Sequence, residues 1–145
     1  MGEYAEMQKR FVLDCSVSAA WCFSDEKNDY VDKVLESFTH GYKAWIPHIW
    51  YIEMINVLTT AERQSRITRA GSEHFLTLFS SLPISSPIFP EQKLDKNLLA
   101  LSGSFHLSAY DACYLKLALE YAIPLATQDS GLRKACRSAG IPILN

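Results

Sequence analysis

Two aspartates follow short apolar runs, at positions where a parallel sheet presents its reactive groups. Asp14 directly follows the run at 11–13, and Asp129 comes two residues after the run at 125–127. Because the carboxyl ends of parallel strands share one edge of a sheet, both carboxylates are expected at that edge. Each also has a plain structural reading, Asp14 as a turn residue and Asp129 as the N-cap of the next helix.

Two further acids lie early in apolar helical patterns. Glu53 has Asn56 three residues later, and the alternative to a site residue is a polar stripe that faces water. Asp111 heads a helical column that continues through Leu115, so its side chain is predicted to point inward. The alternative for Asp111 is a capping box with Ser108, which explains the residue type but not the inward column.

These four acids fall at one rim of the predicted sheet, which favours a shared site. Carboxylates brought close together repel one another and take raised pKa values unless divalent cations neutralise them. Magnesium or manganese fits a set of ligands that offers only oxygen. The chemistry implied is hydrolysis of a phosphodiester by in-line attack of a metal-activated water, with one metal or two.

The elements that position these acids alternate between short strands and helices, which predicts an α/β fold. The expected architecture has three layers, α/β/α, around a central parallel sheet of about five strands joined by right-handed crossovers. Ser16 is expected to cap the first helix, and Pro90 to start the fifth. Strands are predicted at 11–13, 44–46, 84–88, 124–127 and 141–144, with helices at 17 onward, 29–38, 47–66, 68–81, 90–101, 108–121 and 130–139.

Composition is that of one globular domain. The chain has 145 residues, 48% of them hydrophobic, and we expect a flexible tail at 1–9 followed by a single domain at 10–145. The net charge of −2 provides no global positive field, so any nucleic-acid site must be local. The four cysteines lack metal-ligand spacing, and no signal peptide or membrane span is apparent, which predicts a cytosolic protein.

At four places, in order along the chain, the sequence resembles the PIN-domain family, and within it the VapC-like toxins of toxin–antitoxin pairs. A closing Gly140-Ile-Pro follows them. The four patterns are Phe11-Val-Leu-Asp14-x-Ser16, Pro47-x-x-Trp50-x-x-Glu53-x-x-Asn56-x-Leu58, Asp111-Ala112-x-Tyr114-x-x-Leu117-Ala118 and Leu125-x-Thr127-x-Asp129-x-x-Leu132.

This resemblance implies a Mg²⁺- or Mn²⁺-dependent endoribonuclease, the toxin of a type II toxin–antitoxin system. It assigns the catalytic and metal-binding roles to Asp14, Glu53, Asp111 and Asp129. It also gives Ser16, Thr127 and Asn56 supporting roles. It further implies a homodimer and a cognate antitoxin protein as partners. Some family members carry another acid just after the fourth, and here Leu132 and basic residues follow Asp129, which leaves the number of metals open.

Basic and aromatic residues near these acids suggest contacts with RNA and with a partner protein. Four cations on the last two helices are candidates for phosphate contacts, and the alternative is an ordinary solvated helix face. Those cations are Lys116, Arg133, Lys134 and Arg137. Trp21, Phe23, Trp50 and Tyr51 are candidates for an apolar partner groove, with core packing as the alternative for at least half of them.

Other classes of protein fit the pattern less well. A receiver-like signalling domain needs paired acids after the first strand, and a haloacid-dehalogenase-like phosphatase needs two acids separated by one residue there. The chain instead has Asp14-Cys15-Ser16. A non-catalytic binding protein on the same fold is disfavoured because all four acids are present. Transfer, ribosomal and messenger RNA all stay open as substrates.

Overall fold

The computed structural model describes residues 8–88 and 93–145. Its centre is a parallel sheet of β1 (Arg10–Leu13), β2 (Lys43–Trp45), β3 (Ile84–Ser85) and β4 (Leu125–Ala126). The strands lie in the order β3-β2-β1-β4. The chain runs outward from β1 to β2 and β3 and then crosses back to β4, on the other side of β1. The strand order therefore reverses between β1 and β4, and open parallel sheets bind ligands at such a switch point.

Helices cover both faces of this sheet. With this strand order, the right-handed crossovers that parallel strands favour put the first four helices on one face and the last three on the other, and the helices of each set pack on one another. The first helix packs on the second and third, whereas the sixth packs on the fifth, the seventh and β1. The predicted α/β fold is confirmed. In the described ranges the helices are α1 (Cys15–Ala20), α2 (Asp29–Ser37), α3 (Ile49–Arg63), α4 (Arg69–Ser80), α5 (Lys96–Phe105), α6 (Ala109–Tyr121) and α7 (Ser130–Ala139).

The fifth predicted strand, at 141–144, is reduced to a single parallel bridge between Leu125 and Ile143. The Leu125 N–H donates to the Pro142 carbonyl at 3.0 Å, and the Leu144 N–H donates to the Leu125 carbonyl at 3.0 Å. Pro142 has no N–H to donate, so the pairing does not extend into a full ladder. The sheet accordingly has four strands in the described residues, one fewer than predicted.

Three helix starts differ from the sequence prediction, and one of them is that of α3, which begins at Ile49 rather than at Pro47. Helix α1 begins at Cys15, two residues before the predicted start at Val17, because Ser16 lies inside the helix and directs its hydroxyl at Asp14 rather than capping. The predicted start of the fifth helix at Pro90 lies outside the described residues, as do residues 1–7 of the predicted tail. Within the described residues α5 begins at Lys96, after Asp95 accepts from the Asn97 and Leu98 amides as N-cap.

The core consists largely of β1 and of the apolar side of α6. Phe11, Val12 and Leu13 are fully buried, as are Tyr114 and Leu115. A strand buried on both faces reads as a continuous apolar run, as the sequence of β1 does.

Most of the aromatic residues considered for a partner groove belong to this core. Trp21, Phe23 and Trp50 are buried, whereas Tyr51 is 42% exposed. The Trp21 indole donates to the Val31 carbonyl at 2.8 Å. The Trp50 indole donates to the Ser18 hydroxyl at 2.9 Å. The four cysteines are free thiols, and none of the helices in the described parts of the chain is long and apolar enough to cross a membrane.

Candidate active site at the carboxyl edge of the sheet

Asp14 is the buried centre of the site. Its side chain follows β1 directly and is only 4% exposed. Its Oδ2 accepts hydrogen bonds from the hydroxyls of Ser16, at 2.6 Å, and Thr127, at 2.7 Å. Its backbone N–H donates to the Ala126 carbonyl at 3.0 Å. The carboxylate is therefore fixed from both strands that flank the point where the sheet order reverses.

The loop after β4 is joined to α1 through Gln128. The Gln128 backbone N–H donates to the Ser16 hydroxyl oxygen at 3.0 Å, and its side-chain Nε2 donates to the Ser16 carbonyl at 2.9 Å. Asn28, the N-cap of α2, donates through Nδ2 to the Gln128 Oε1 at 2.7 Å. These bonds hold Ser16 while it contacts Asp14, so the orientation of the carboxylate depends on three separate elements.

Asp129 lies at the end of the same loop and has an exposed side chain. Its backbone N–H donates to the Thr127 hydroxyl oxygen at 3.0 Å. Its Oδ2 accepts the Leu132 N–H at 2.7 Å, which makes it the N-cap of α7. The structural reading of Asp129 is thus correct. The same backbone places its carboxylate close enough to Asp14 to act on it electrostatically.

Glu53 and Asp111 approach from α3 and α6, and both are partly buried. The Tyr114 hydroxyl donates to Glu53 Oε1 at 2.7 Å, which joins the two helices at the edge of the sheet. The Asp111 N–H donates to the Ser108 hydroxyl oxygen at 3.1 Å, so Ser108 caps α6 as predicted. Asn56 lies one turn after Glu53 and is exposed.

The four carboxylates share one electrostatic field. Burial raises the pKa of Asp14 above its usual range, the hydroxyls of Ser16 and Thr127 oppose that shift, and the charge of Asp129 adds to it. Burial also raises the pKa of Glu53 and that of Asp111, and in both cases the charge of Asp14 raises the pKa further. The structure therefore brings the four predicted acids close enough together for their charges to interact, and Asp14, Glu53 and Asp111 resist simultaneous ionisation.

The fit of a divalent cation depends on the donors and on their placement. All four residues offer carboxylate oxygen, which Mg²⁺ and Mn²⁺ prefer. Across residues 8–88 and 93–145, no group of three or more Asp, Glu, His or Cys side chains is placed to hold a metal ion, so the four acids form no closed cage. Mg²⁺ commonly keeps several waters and uses one or two carboxylates, so the arrangement suits a hydrated cation.

The basic residues predicted to contact RNA occupy different surroundings. Lys116 pairs with Asp95, and with Glu120 at 3.6 Å, so its charge is already engaged. Arg133 donates through Nε to the Thr127 carbonyl at 2.7 Å, and its guanidinium lies 4.7 Å from the centre of the Tyr30 ring. Lys134 and Arg137 are exposed on α7. Arg133 therefore has a structural role at the site, while the two exposed cations stay candidates for phosphate contacts.

Comparison with known proteins assigns the family. The family model described as PIN domain matches residues 11–138, a range that contains all four acids. The chain belongs to the PIN-domain family. PIN domains are generally nucleases that usually depend on divalent metals, so a nucleic acid is the class of substrate that the family implies.

A solved structure agrees with the PIN fold. The crystal structure of PAE2754 from Pyrobaculum aerophilum superposes on the chain with a TM-score of 0.64 at 24% sequence identity. The match covers 87% of this chain and 85% of that one, and it supports the fold alone. No curated protein sequence matches the chain.

Two contributors to this site, Tyr114 and Gln128, were given no role from the sequence, and a third, Arg133, was predicted only to contact RNA. Tyr114, Gln128 and Arg133 each bond a site residue or its backbone, and their partners lie on other elements. The signals in the sequence that could have indicated a site role were the positions of Tyr114 and Gln128. Tyr114 follows Asp111 by three residues on one helix, and Gln128 lies between two residues already placed in the site.

Proposed function

We propose that this PIN domain is a Mg²⁺- or Mn²⁺-dependent endoribonuclease whose reaction centre is formed by Asp14, Glu53, Asp111 and Asp129. The observation that carries the proposal is the buried Asp14 carboxylate, held by two hydroxyls and coupled electrostatically to the other acids. An ionised carboxylate costs free energy when it is buried, and more when other carboxylates lie near it, so the placement of Asp14 beside three further acids supports a functional site.

The residues divide the work as follows. Asp14 supplies a fixed anionic oxygen donor, because Ser16 and Thr127 hold its orientation. Glu53 supplies a partly buried carboxylate from α3, Asp111 supplies another from α6, and Asp129 supplies an exposed one. A divalent cation, when bound, neutralises these charges and activates water for attack on the phosphodiester. Lys134 and Arg137 offer exposed charges for the RNA backbone.

The decisive experiment is cleavage of RNA by purified variants that keep the shape of each side chain but remove its charge. Asp14→Asn and Asp111→Asn are expected to lower Mg²⁺-dependent cleavage at least 1000-fold, on the order expected for loss of metal-assisted charge stabilisation. Asp32→Asn, an exposed aspartate on α2, is the matched control and is expected to cleave like the wild type.

Undiminished cleavage by folded Asp111→Asn protein would overturn the assignment of the site. Circular dichroism and thermal melting of each variant separate loss of chemistry from loss of fold. EDTA is expected to abolish cleavage by the wild type, and added Mn²⁺ or Mg²⁺ to restore it.

The toxin role is the finer part of the proposal and rests on the resemblance to VapC-like sequences. Expression of the wild-type chain in its own host is expected to arrest growth, and the Asp111→Asn variant is expected to be harmless. Co-expression of a small protein encoded beside it is expected to relieve the arrest and to co-purify as the antitoxin. A wild-type chain that cleaves RNA but leaves growth unchanged would remove the toxin role and keep the nuclease.

A further inference from the structure

A pocket of about 520 Å³ opens beside the acidic site, between α3, α5 and α6. Its apolar lining includes Ile49, Leu98 and Leu117. Its size falls within the range of small-molecule and cofactor pockets. None of the four acids lines it, so the reaction centre does not account for it.

The pocket and the reaction centre are built from neighbouring residues of α3 and α6. The Tyr114 hydroxyl joins these two helices by its 2.7 Å bond to Glu53. Ile49, in the pocket wall, lies one helical turn before Glu53, and Cys113 and Leu117 flank Tyr114 along α6. A polymer whose phosphate reaches Glu53 and Asp111 can therefore place the adjoining part of its chain in this pocket.

The charges in the pocket balance one another, which disfavours a second phosphate as its occupant. Its charged lining residues are two carboxylates, Asp95 and Glu120, and two ammonium groups, Lys93 and Lys116. Lys116 already pairs with both carboxylates. A phosphate would meet both carboxylates and find the cation between them engaged, whereas an uncharged planar group would meet apolar walls and a row of hydrogen-bonding groups.

We propose that this pocket receives a nucleobase of the RNA substrate next to the cleaved bond, and that it favours bases with an exocyclic amino group. Ile49, Leu98 and Leu117 provide apolar surface for the faces of the ring, in the manner of pockets that hold an unstacked base. Glu120 accepts from the amino group, and the one N–H of Lys116 that its two carboxylate partners leave unused donates to a ring nitrogen or carbonyl. Uracil has no amino group, and its only ring donor, N3–H, lies between two carbonyl oxygens that repel a carboxylate, so uracil is expected to be the base selected against.

This proposal rests on the proposed nuclease function, and two neighbouring leucines of α5 allow a test that separates the two. Leu98 is partly buried and lines the pocket, whereas Leu99 is 75% exposed and does not line it. Leu98→Trp fills the pocket, and Leu99→Trp adds the same side chain outside it. Neither change touches the four acids.

The first measurement is binding of nucleosides to the metal-free full chain, followed by the amide NMR signals of Cys113, Leu117 and residue 98. Nucleosides carry no phosphate for the acids to repel. Adenosine, guanosine and cytidine are expected to shift these signals in the wild type and in Leu99→Trp, and uridine to require at least fivefold higher concentration. Leu98→Trp is expected to weaken the binding at least tenfold. Absence of these shifts in the wild type, or equal behaviour of the two variants, would overturn the pocket assignment.

The second measurement is the sequence preference of cleavage in a randomised RNA library. The wild type and Leu99→Trp are expected to disfavour uracil at one fixed position beside the cut, and Leu98→Trp to lose that preference with an about tenfold lower kcat/KM at favoured sites. Cleavage that shows the same preference in Leu98→Trp removes the pocket proposal and keeps the nuclease. Nucleoside binding in the pocket without any RNA cleavage keeps the pocket and removes the nuclease.

Discussion

The two sides of the acidic site are held by different kinds of contact. On the side of β1 and β4, Asp14 is buried, and two hydroxyls bond a single oxygen at 2.6 and 2.7 Å. On the side of α3 and α6, Glu53 and Asp111 are only partly buried, and Glu53 bonds a tyrosine hydroxyl at 2.7 Å. The side of β1 and β4 is a buried hydrogen-bond network, whereas the side of α3 and α6 consists of two carboxylates that are partly exposed to solvent.

This difference assigns different tasks to the two sides. A carboxylate that is buried and bonded at one oxygen cannot turn without leaving hydroxyls unpaired, so Asp14 sets the position of whatever binds there. Glu53 and Asp111 have solvent beside them and can adjust to a hydrated cation or to substrate. Loss of contacts should therefore cost more on the Asp14 side than on the Glu53 side.

The largest expected effect is the dependence of stability on pH in the metal-free protein. The pKa values of Asp14, Glu53 and Asp111 are raised in the folded state above their ordinary values of 3.8, 4.5 and 3.8. The folded state therefore holds protons that the unfolded state releases, and the contribution of these groups to stability is lost as pH rises through the folded pKa values. Asp14 is the most buried of the three, so its carboxyl is expected to dominate this loss.

Urea unfolding between about pH 4 and pH 7 measures this effect. The Asp14→Asn side chain cannot ionise, so this variant is expected to lose less stability than the wild type over that range and to exceed it at neutral pH without metal. Added Mg²⁺ is expected to raise the stability of the wild type more than that of the variant. Parallel pH profiles for the two proteins would show that Asp14 does not titrate abnormally.

Thr127→Val tests the side of β1 and β4 directly. Thr127 is fully buried, donates to Asp14 and accepts the Asp129 N–H at 3.0 Å, and valine keeps its volume while removing both bonds. We expect a loss of about 2 kcal/mol in the free energy of unfolding and a matching loss of RNA cleavage. Thr77→Val is the control, because Thr77 is exposed and bonds only within its own helix at 3.2 Å; equal effects of the two changes would contradict the comparison.

Tyr114→Phe tests the side of the site formed by α3 and α6. It is expected to lower the free energy of unfolding by about 1 kcal/mol. The hydrogen bond from Tyr114 lowers the pKa of Glu53, so its removal should raise that pKa further, as followed by NMR titration of the Glu53 carboxyl. Cleavage at neutral pH should fall less than in Thr127→Val. Tyr121→Phe, on the same helix, is the matched change and should leave the titration of Glu53 unaltered.

The smallest expected effect concerns the exposed cations of α7. Lys134→Met should leave stability within about 0.5 kcal/mol of the wild type, because the side chain is exposed. If Lys134 contacts phosphate, RNA affinity should fall and the slope of log affinity against log salt should decrease by roughly 0.7 to 1. Asp32→Asn provides the control for an exposed charge away from α7. An unchanged salt slope would show that Lys134 is an ordinary solvated side chain that does not contact phosphate.

The parts of this molecule that sequence predicted well are those decided by neighbouring residues. The run at 11–13 identifies β1, and the Ser108, Thr68 and Asp129 caps follow from the affinity of short polar side chains for free helical amides. The position of Asp14 at the end of its strand then follows from the fold. Ser16 was wrongly predicted as a cap because its actual partner, the Asp14 carboxylate, competes for the same hydroxyl.

The contacts that the sequence did not predict are those between side chains on different elements of the fold. Arg133 lies in a sequence typical of a solvated helix face, yet its guanidinium lies over Tyr30 and bonds the Thr127 carbonyl. The pairing of Lys116 with Asp95, the residue that caps a different helix, was likewise not predicted. Such pairings depend on how helices cross the sheet, and hydrophobic periodicity gives the face of a helix but not the residue opposite it.

The contact between Asp14 and Thr127 joins residues 113 positions apart, and that of Asn28 with Gln128 joins residues 100 positions apart. A ribosome adds residues from the N-terminus onward, and domains generally fold as their segments emerge. The nascent chain therefore carries Asp14, Glu53 and Asp111 well before the hydroxyl that orients Asp14 has been made. The acidic site therefore takes its final form only after residue 127 has emerged, and a shorter nascent chain lacks the contact that fixes Asp14.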